Sequence, residues 1–318
     1  MHRIDHRIVR RIGLLICAAL ITGSLSGCGA EKTSDFRIVT TTTQVTDITR
    51  QVVGGTGSVF ALLQANQSAH AFDPSARDLL ELSVADALIV NGEGLEPWLD
   101  DALSASGFSG TLIVASRDVT PQSRDGVIDP HVWTDPANAQ KMTNHIAIEL
   151  ARIKPSQGSA LARNAEAYDH QLQALDAWIR ATFAQVPSER RLLVTNHDAF
   201  TYFVSAYNII LVGSIIPEFD DNAEPSAADL DALIAKIRRT GVRAIFAESS
   251  ISPKLAQTVA NEAGIRVFAG EDSLYSDTLG PQGSGAESYI SATIHNVSLL
   301  ALAWGVRLLP LPQELTHD

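Results

Sequence analysis

Short runs of apolar, β-branched residues alternate along the chain with segments in which apolar residues repeat every three or four positions. The first half contains runs at residues 36–40, 59–63, 87–91 and 111–115. The second half repeats the scheme at residues 191–195, 209–216, 243–247 and 266–269. Strands that alternate with helices form crossover units, which build parallel sheets. The pattern therefore predicts an α/β protein with two similar lobes, each built on a mainly parallel sheet.

One long amphipathic segment separates the two halves. The chain has no proline between Pro155 and Pro187, and apolar residues recur there at steps of three and four. These residues are Leu161, Ala165, Tyr168, Leu172, Leu175 and Ile179. The spacing predicts one long helix. A coiled-coil partner helix is the alternative, but the position favours a rigid connection, residues 155–187, between lobes at residues 36–154 and 188–318.

The N-terminus differs from the rest of the chain. Residues 1–11 carry four arginines, and residues 12–25 form an apolar run without a charge. This layout is typical of an export signal and is too short for an ordinary membrane span. A Leu-Ser-Gly run before Cys28 resembles the bacterial lipobox, so we expect a signal peptide at residues 1–27 and a lipid on Cys28, followed by a tether at 28–35. A soluble exported protein with an incidental cysteine is the alternative.

Composition excludes several classes of protein. With 318 residues, 45% of them hydrophobic, the chain is long enough for two cores. A net charge of −12 argues against nucleic acid as a partner. Only two cysteines are present, which excludes sites with several thiolate ligands. The sequence also lacks the phosphate-binding loop of an ATPase, the His-Glu-x-x-His zinc-protease motif and the Gly-x-Ser-x-Gly hydrolase motif.

Three histidines stand in turn-rich loops beside predicted strands. They are His70, His131 and His197. Because ligands of parallel α/β sheets bind beyond the carboxyl ends of the strands, these loops are candidate binding loops. Four other histidines lack such a setting, and we expect them to lie outside the site: His145, His170, His295 and His317.

Four motifs around these loops resemble one protein family. They are His-x-Phe-x-Pro at 70–74, Asp-Pro-His-Val-Trp-x-Asp-Pro at 129–136, Asn-His-Asp-Ala-Phe-x-Tyr at 196–202 and Leu-Tyr-Ser-Asp-x-Leu-Gly at 274–280. Their order is similar to that in the cluster A-I metal-binding lipoproteins, the solute-binding subunits of zinc and manganese ABC transporters. The resemblance covers essentially the whole chain after the signal, including the long helix between the lobes.

The resemblance implies a metal site in the cleft between the lobes. Its ligands would be His70 and His131 from the first lobe, with His197 and Asp277 from the second. Three imidazoles and one carboxylate suit tetrahedral Zn²⁺ at ~2.0–2.2 Å. The carboxylate is the open assignment, because Asp272 or Glu248 could replace Asp277. Carboxylates that could orient the imidazole rings stand nearby, at Asp129, Asp198 and Glu248.

The metal itself has two candidates. Nitrogen-rich ligation favours Zn²⁺ over Mn²⁺, and so does the Irving–Williams order. Family members with a carboxylate in place of His197 are directed to manganese or iron. However, many zinc-dedicated relatives carry a histidine-rich loop before the Asp-Pro-His motif, and residues 116–128 contain no histidine. Zinc is the expected cargo and manganese the alternative.

These features predict an extracytoplasmic solute-binding lipoprotein. It would capture Zn²⁺ and deliver it to the permease and ATPase subunits of an ABC importer, held at the cell membrane through lipid alone. We expect a monomer. A surface adhesin of the same family is a second hypothesis. A metal hydrolase is the enzymatic rival, but four protein ligands close a zinc coordination shell that catalysis would leave open.

Overall fold

Two parallel sheets form the framework of the protein. The computed structural model describes residues 36–316, so the predicted signal, Cys28 and the tether lie outside the described residues. The first sheet has the strand order β2-β1-β3-β4. Its strands are β1 (Arg37–Thr40), β2 (Ser58–Ala61), β3 (Ala87–Val90) and β4 (Thr111–Val114). The helices between them are α1 (Thr43–Val53), α2 (Ala76–Ser83) and α3 (Leu99–Ser106).

The second sheet repeats this architecture with the order β10-β9-β7-β8. Its strands are β7 (Leu192–His197), β8 (Ile210–Ile216), β9 (Ala244–Phe246) and β10 (Arg266–Phe268). Helices α6 (Thr201–Tyr207), α7 (Ala227–Thr240), α8 (Lys254–Ala263) and α9 (Tyr289–Trp304) accompany them. Within each of the two sheets the strand pairs are parallel, which confirms the prediction of two α/β lobes.

The central strands are buried on both faces, as expected where helices cover a parallel sheet. All four residues of β3 are buried. In β7, Leu193 and Val194 belong to two different apolar cores because neighbouring strand residues point to opposite faces. In each sheet the strand order reverses beside a central strand, at β1–β3 and at β7–β9. Ligands of open α/β sheets bind at the carboxyl ends of strands at such points.

The long helix α5 (Gly158–Phe183) has 26 residues and spans about 39 Å. It begins later than the proline boundary predicts, because Pro155–Gln157 forms a turn of 3₁₀ helix first. Before it, α4 (Pro136–Ile153) starts at the proline of the second motif, with Asp135 as its N-cap. The predicted apolar face of α5 is buried along its length.

Helix α5 is bonded to elements of both lobes. In its first half, Asn164 Nδ2 donates to Val52 O of α1 at 3.0 Å. In its second half, Trp178 Nε1 donates to Leu309 O at 3.0 Å, and Arg180 Nη1 donates to Ala206 O of α6 at 2.9 Å. The helix is therefore a packed part of the core rather than a free spacer. The lobe boundaries at residues 154 and 188 stay predictions.

A short antiparallel hairpin was not predicted. Strands β5 (Ser123–Arg124) and β6 (Val127–Ile128) pair across a two-residue turn. Asp125 and Gly126 both have positive φ, 54° and 83°, as the favoured hairpin turns require. The hairpin lies within residues 116–128, the segment without histidines that precedes the Asp-Pro-His motif.

Within residues 36–316, no helix is both long and apolar enough to cross a membrane.

The packing of α5 predicts how a truncation inside it affects stability. Leu172 is fully buried at the middle of the helix. We expect Leu172→Ala to lower the free energy of unfolding by about 2–5 kcal/mol, because burial is lost and a cavity remains. Urea denaturation followed by circular dichroism measures the change.

His170, two residues earlier on the exposed side of the same helix, supplies the control. His170→Ala should change the free energy of unfolding by no more than about 0.5 kcal/mol. Equal effects of the two substitutions would contradict the packing of α5 described above.

Candidate metal centre

Four side chains from separate parts of the chain converge at the carboxyl ends of the two sheets. They are His70, His131, His197 and Asp277. One ligand atom from each lies within 4.8 Å of the ligand atoms of the other three. His131, His197 and Asp277 are completely buried, and the side chain of His70 is 7% exposed. These are the four residues that the family resemblance implies.

The carboxylate of Asp277 lies at the centre of the cluster. Its Oδ1 is 3.3 Å from His131 Nε2, and its Oδ2 is 3.2 Å from His197 Nε2 and 3.8 Å from His70 Nε2. Among residues 36–316, no aligned hydrogen bond reaches any of these five atoms. The Nε2 atoms of three imidazoles and two carboxylate oxygens thus face one small volume, and once the nitrogens are deprotonated they form the donor set of a metal site.

His131 is oriented by the carboxylate of Asp129. Asp129 Oδ1 accepts from the backbone N–H of His131 at 2.9 Å and lies 2.7 Å from its Nδ1. This contact favours the proton on Nδ1 and leaves Nε2 facing Asp277. The loop itself is held from β3, since Asn91 Nδ2 donates to Pro130 O at 2.9 Å.

Glu248 plays the corresponding part in the second lobe. His197 ends β7, and its backbone N–H donates to Glu248 Oε1 at 2.9 Å. Its Nδ1 lies 2.7 Å from Glu248 Oε2, an ion-pair contact rather than an aligned hydrogen bond. Glu248 also accepts a short hydrogen bond from Ser276 Oγ. One carboxylate therefore positions His197 and the residue next to Asp277.

The Asp277 loop is fastened to the first lobe through the residues on either side of Asp277. Ser276 O accepts from Gln44 Nε2 at 2.7 Å and from Trp133 Nε1 at 3.0 Å. Asn66 N donates to Thr278 Oγ1 at 3.0 Å. These bonds flank Asp277 on both sides and hold its carboxylate against the three rings.

The alternative carboxylates do not face the rings as Asp277 does. Glu248 lies behind His197, as described above. Asp272 stands in an exposed turn and forms a 4.0 Å ion pair with Arg266. Asp198, considered as an acceptor for a ring, instead forms an ion pair with Arg124 of the hairpin.

The other histidines have separate settings. His145 is a partial correction to the expectation of a surface residue, because its side chain is only 11% exposed and its Nδ1 lies 3.0 Å from Asp118 Oδ2. His170 is exposed. His295 Nε2 lies 2.9 Å from Ser273 O. His317 lies outside the described residues.

Burial and charge act against each other on the histidine pKa values. Burial lowers the pKa of His131, but the carboxylates of Asp277 and Asp129 outweigh it and raise the pKa to about 9. Burial likewise opposes protonation of His197, yet Glu248 and Asp277 raise its pKa well above the usual value. At His70 burial prevails and lowers the pKa to about 4. Burial disfavours ionisation of Asp277, but His197 and His131 bring its pKa well below the usual range.

Comparison with known proteins agrees with this geometry. A family model described as the periplasmic component A of a zinc-uptake complex matches residues 38–303. This chain belongs to that family. Members of the family are solute-binding proteins of metal ABC transporters and not enzymes, which confirms the expectation of a binding protein. The family predicted from the four motifs is confirmed, and so is the fold predicted from the alternation of strands and helices.

Individual family members carry different metals in their names. The manganese-binding lipoprotein MntA of Halalkalibacterium halodurans is 31% identical over 86% of this chain and 91% of its own length. The iron-binding protein YfeA of Yersinia pestis is 30% identical over 94% of both chains. The structure of the periplasmic zinc-binding protein TroA from Treponema pallidum is 27% identical, with a TM-score of 0.79 over 85% of this chain and 99% of that one.

Several residues around the cluster had no motif to reveal them. Gln44 and Asn91 hold the ligand loops through contacts between residues far apart in sequence. Ser276 lies within the fourth motif, but its contact with Glu248 is likewise long-range. Arg124 had a local signal in the Asp125-Gly126 turn, a dipeptide typical of hairpins. The flanking strands of two residues each are too short to show an apolar alternation.

The opposing shifts at His131 and His70 predict different titrations in protein stripped of metal by a chelator. His131 should carry protons on both nitrogens at pH 7 and lose one near pH 9, whereas His70 should stay neutral down to about pH 4. Because the pKa of His131 is raised by folding, its ion pairs stabilise the fold fully below pH 6.5 and lose that effect as the pH rises through about 9.

Long-range ¹⁵N–¹H correlation spectra of the imidazole nitrogens measure both titrations, with His131→Ala and His70→Ala assigning the signals. If both rings titrated near the ordinary histidine pKa, neither the burial of His70 nor the carboxylates beside His131 would act as described.

Proposed function

We propose that this chain binds one Zn²⁺ ion through His70 Nε2, His131 Nε2, His197 Nε2 and the carboxylate of Asp277. The convergence of three buried Nε2 atoms on one buried carboxylate carries the proposal. Three imidazoles and one carboxylate match the ligand types and the coordination number that Zn²⁺ prefers. All four positions are supplied by protein, which suits carriage of the ion.

The carboxylates around the cluster support binding of a divalent cation. The two positive charges of Zn²⁺ and the three negative charges of the Asp277, Asp129 and Glu248 carboxylates sum to −1. The core would therefore hold no uncompensated cation. Asp129 and Glu248 hold the Nδ1 sides of two ligand rings, an arrangement that raises the basicity of the metal-facing nitrogens. The metal and the outer carboxylates therefore stabilise each other.

In the cell the ion would pass to the permease and ATPase subunits of an ABC importer. We infer that the protein acts outside the cytoplasm and is attached to the membrane through a lipid on Cys28. The signal layout at residues 1–27 supports this, and relatives such as MntA are named lipoproteins. We further expect a monomer without affinity for nucleic acid.

Manganese is the second candidate for the cargo. The named manganese-binding relative at 31% identity favours it, and both Asp277 oxygens face the cluster, as bidentate binding would require. Mn²⁺ prefers oxygen ligands, however, and stands below Zn²⁺ in the Irving–Williams order. Three imidazoles among four ligands therefore favour zinc.

Competitive titration of the purified protein with Zn²⁺ and Mn²⁺ tests the proposal. We expect one ion per chain and tighter binding of Zn²⁺. His131→Ala should weaken Zn²⁺ binding by at least about 100-fold, because it removes one buried ligand and leaves three. Isothermal calorimetry against a competing chelator measures the affinities.

His145→Ala is the matched control, since His145 also contacts a carboxylate but lies outside the cluster. Its affinity should equal that of the unmodified protein. Equal affinities of all three proteins would overturn the assigned site, and tighter binding of Mn²⁺ would overturn the choice of metal.

A further inference from the structure

The hairpin of the first lobe carries an arginine that reaches the second lobe. Arg124 stands directly before the Asp125-Gly126 turn and pairs with Val127 on the opposite strand. Its guanidinium forms an ion pair with Asp198, and its Nη2 donates to Pro217 O at 2.6 Å. It also lies over the ring of Phe219, 4.7 Å from the centroid. One side chain thus contacts three residues of the second lobe.

The residues that Arg124 contacts lie next to the proposed metal ligands. Asp198 follows His197 in the chain, and its side chain is only 2% exposed, whereas that of Arg124 is 43% exposed. The ring of Phe219 lies 6.4 Å from the ring of His131 between centroids. The backbone N–H of Asp198 donates to Glu218 O at 3.3 Å.

Residues 217–221, which we term the bridging segment, are also held from the other ligand loop of the first lobe. Ser68 Oγ, two residues before His70, donates to Asp221 Oδ1 at 2.9 Å. The bridging segment is therefore tied to the hairpin at one end and to the His70 loop at the other. Opening the site by moving this segment requires that both connections break.

We propose that Arg124 is a latch: it holds the bridging segment against the first lobe and so slows the release of bound metal. The proposal rests on the function proposed above. Without Arg124, the buried carboxylate of Asp198 loses its cationic partner, and the bridging segment loses its bond at Pro217 and its contact at Phe219. Loss of a partner of a buried charge mainly raises a dissociation rate and leaves association less affected.

Stopped-flow release of Zn²⁺ into excess chelator tests the latch on the purified protein. Arg124→Ala should release Zn²⁺ about tenfold faster or more, with an association rate changed less than about threefold. Arg117→Ala is the control, because Arg117 is an exposed arginine of the same lobe. Its release rate should match that of the unmodified protein.

A second variant disturbs the hairpin and leaves Arg124 in place. Gly126 has a φ of 83°, which a β-branched residue adopts only with strain. Gly126→Val should therefore displace the hairpin turn and also accelerate release. Release from Arg124→Ala and Gly126→Val at the unmodified rate would overturn the latch while the metal site stands. Failure of the unmodified protein to bind Zn²⁺ would overturn both proposals.

Hydrogen exchange separates a latch from a simple charge effect. Backbone amides of the bridging segment should exchange faster in Arg124→Ala than in the unmodified protein and Arg117→Ala, with or without metal. Faster release without faster exchange in this segment would overturn the latch, because Arg124 would then act on the metal without holding the segment.

Discussion

Asp277 places a buried carboxylate against three imidazole rings, and much of the surrounding structure serves to keep it there. Buried polar groups are costly unless they are paired, so four such side chains in one volume need a common partner. The second-lobe loop that carries Asp277 is fastened to Gln44 and Trp133 of the first lobe. The two lobes are thus joined at the point where the donors meet, and the divalent cation proposed above would be a common partner for all of them.

The fold was largely predictable because its signals are local. Residues 87–91 predict a strand because four apolar residues follow one another there. Helix α5 is predicted by apolar residues that recur every three or four positions. Helix α5 begins at Gly158 rather than beside Pro155 because a 3₁₀ turn precedes it, a detail of backbone geometry that periodicity does not carry.

The candidate site was also predictable only in part. His70, His131, His197 and Asp277 lie in recognisable motifs, so resemblance to a family identified them. Asp129, which orients His131, lies in the same motif two residues away. The other positioning partners come from distant segments: Glu248 is 51 residues from His197, and Arg124 contacts Asp198 across the lobes. Such contacts depend on how the sheets are arranged, and nothing in the local sequence of either partner specifies the other. The segment before the second motif forms a hairpin, which its sequence alone did not predict.

X-ray absorption spectroscopy at the zinc edge measures whether three imidazoles and one carboxylate coordinate Zn²⁺. Protein loaded with one Zn²⁺ should show about four nitrogen or oxygen neighbours at ~2.0–2.2 Å, no sulfur, and the multiple-scattering pattern of three imidazole rings. A shell of about six oxygen neighbours, or a pattern with one imidazole or none, would rule out this coordination.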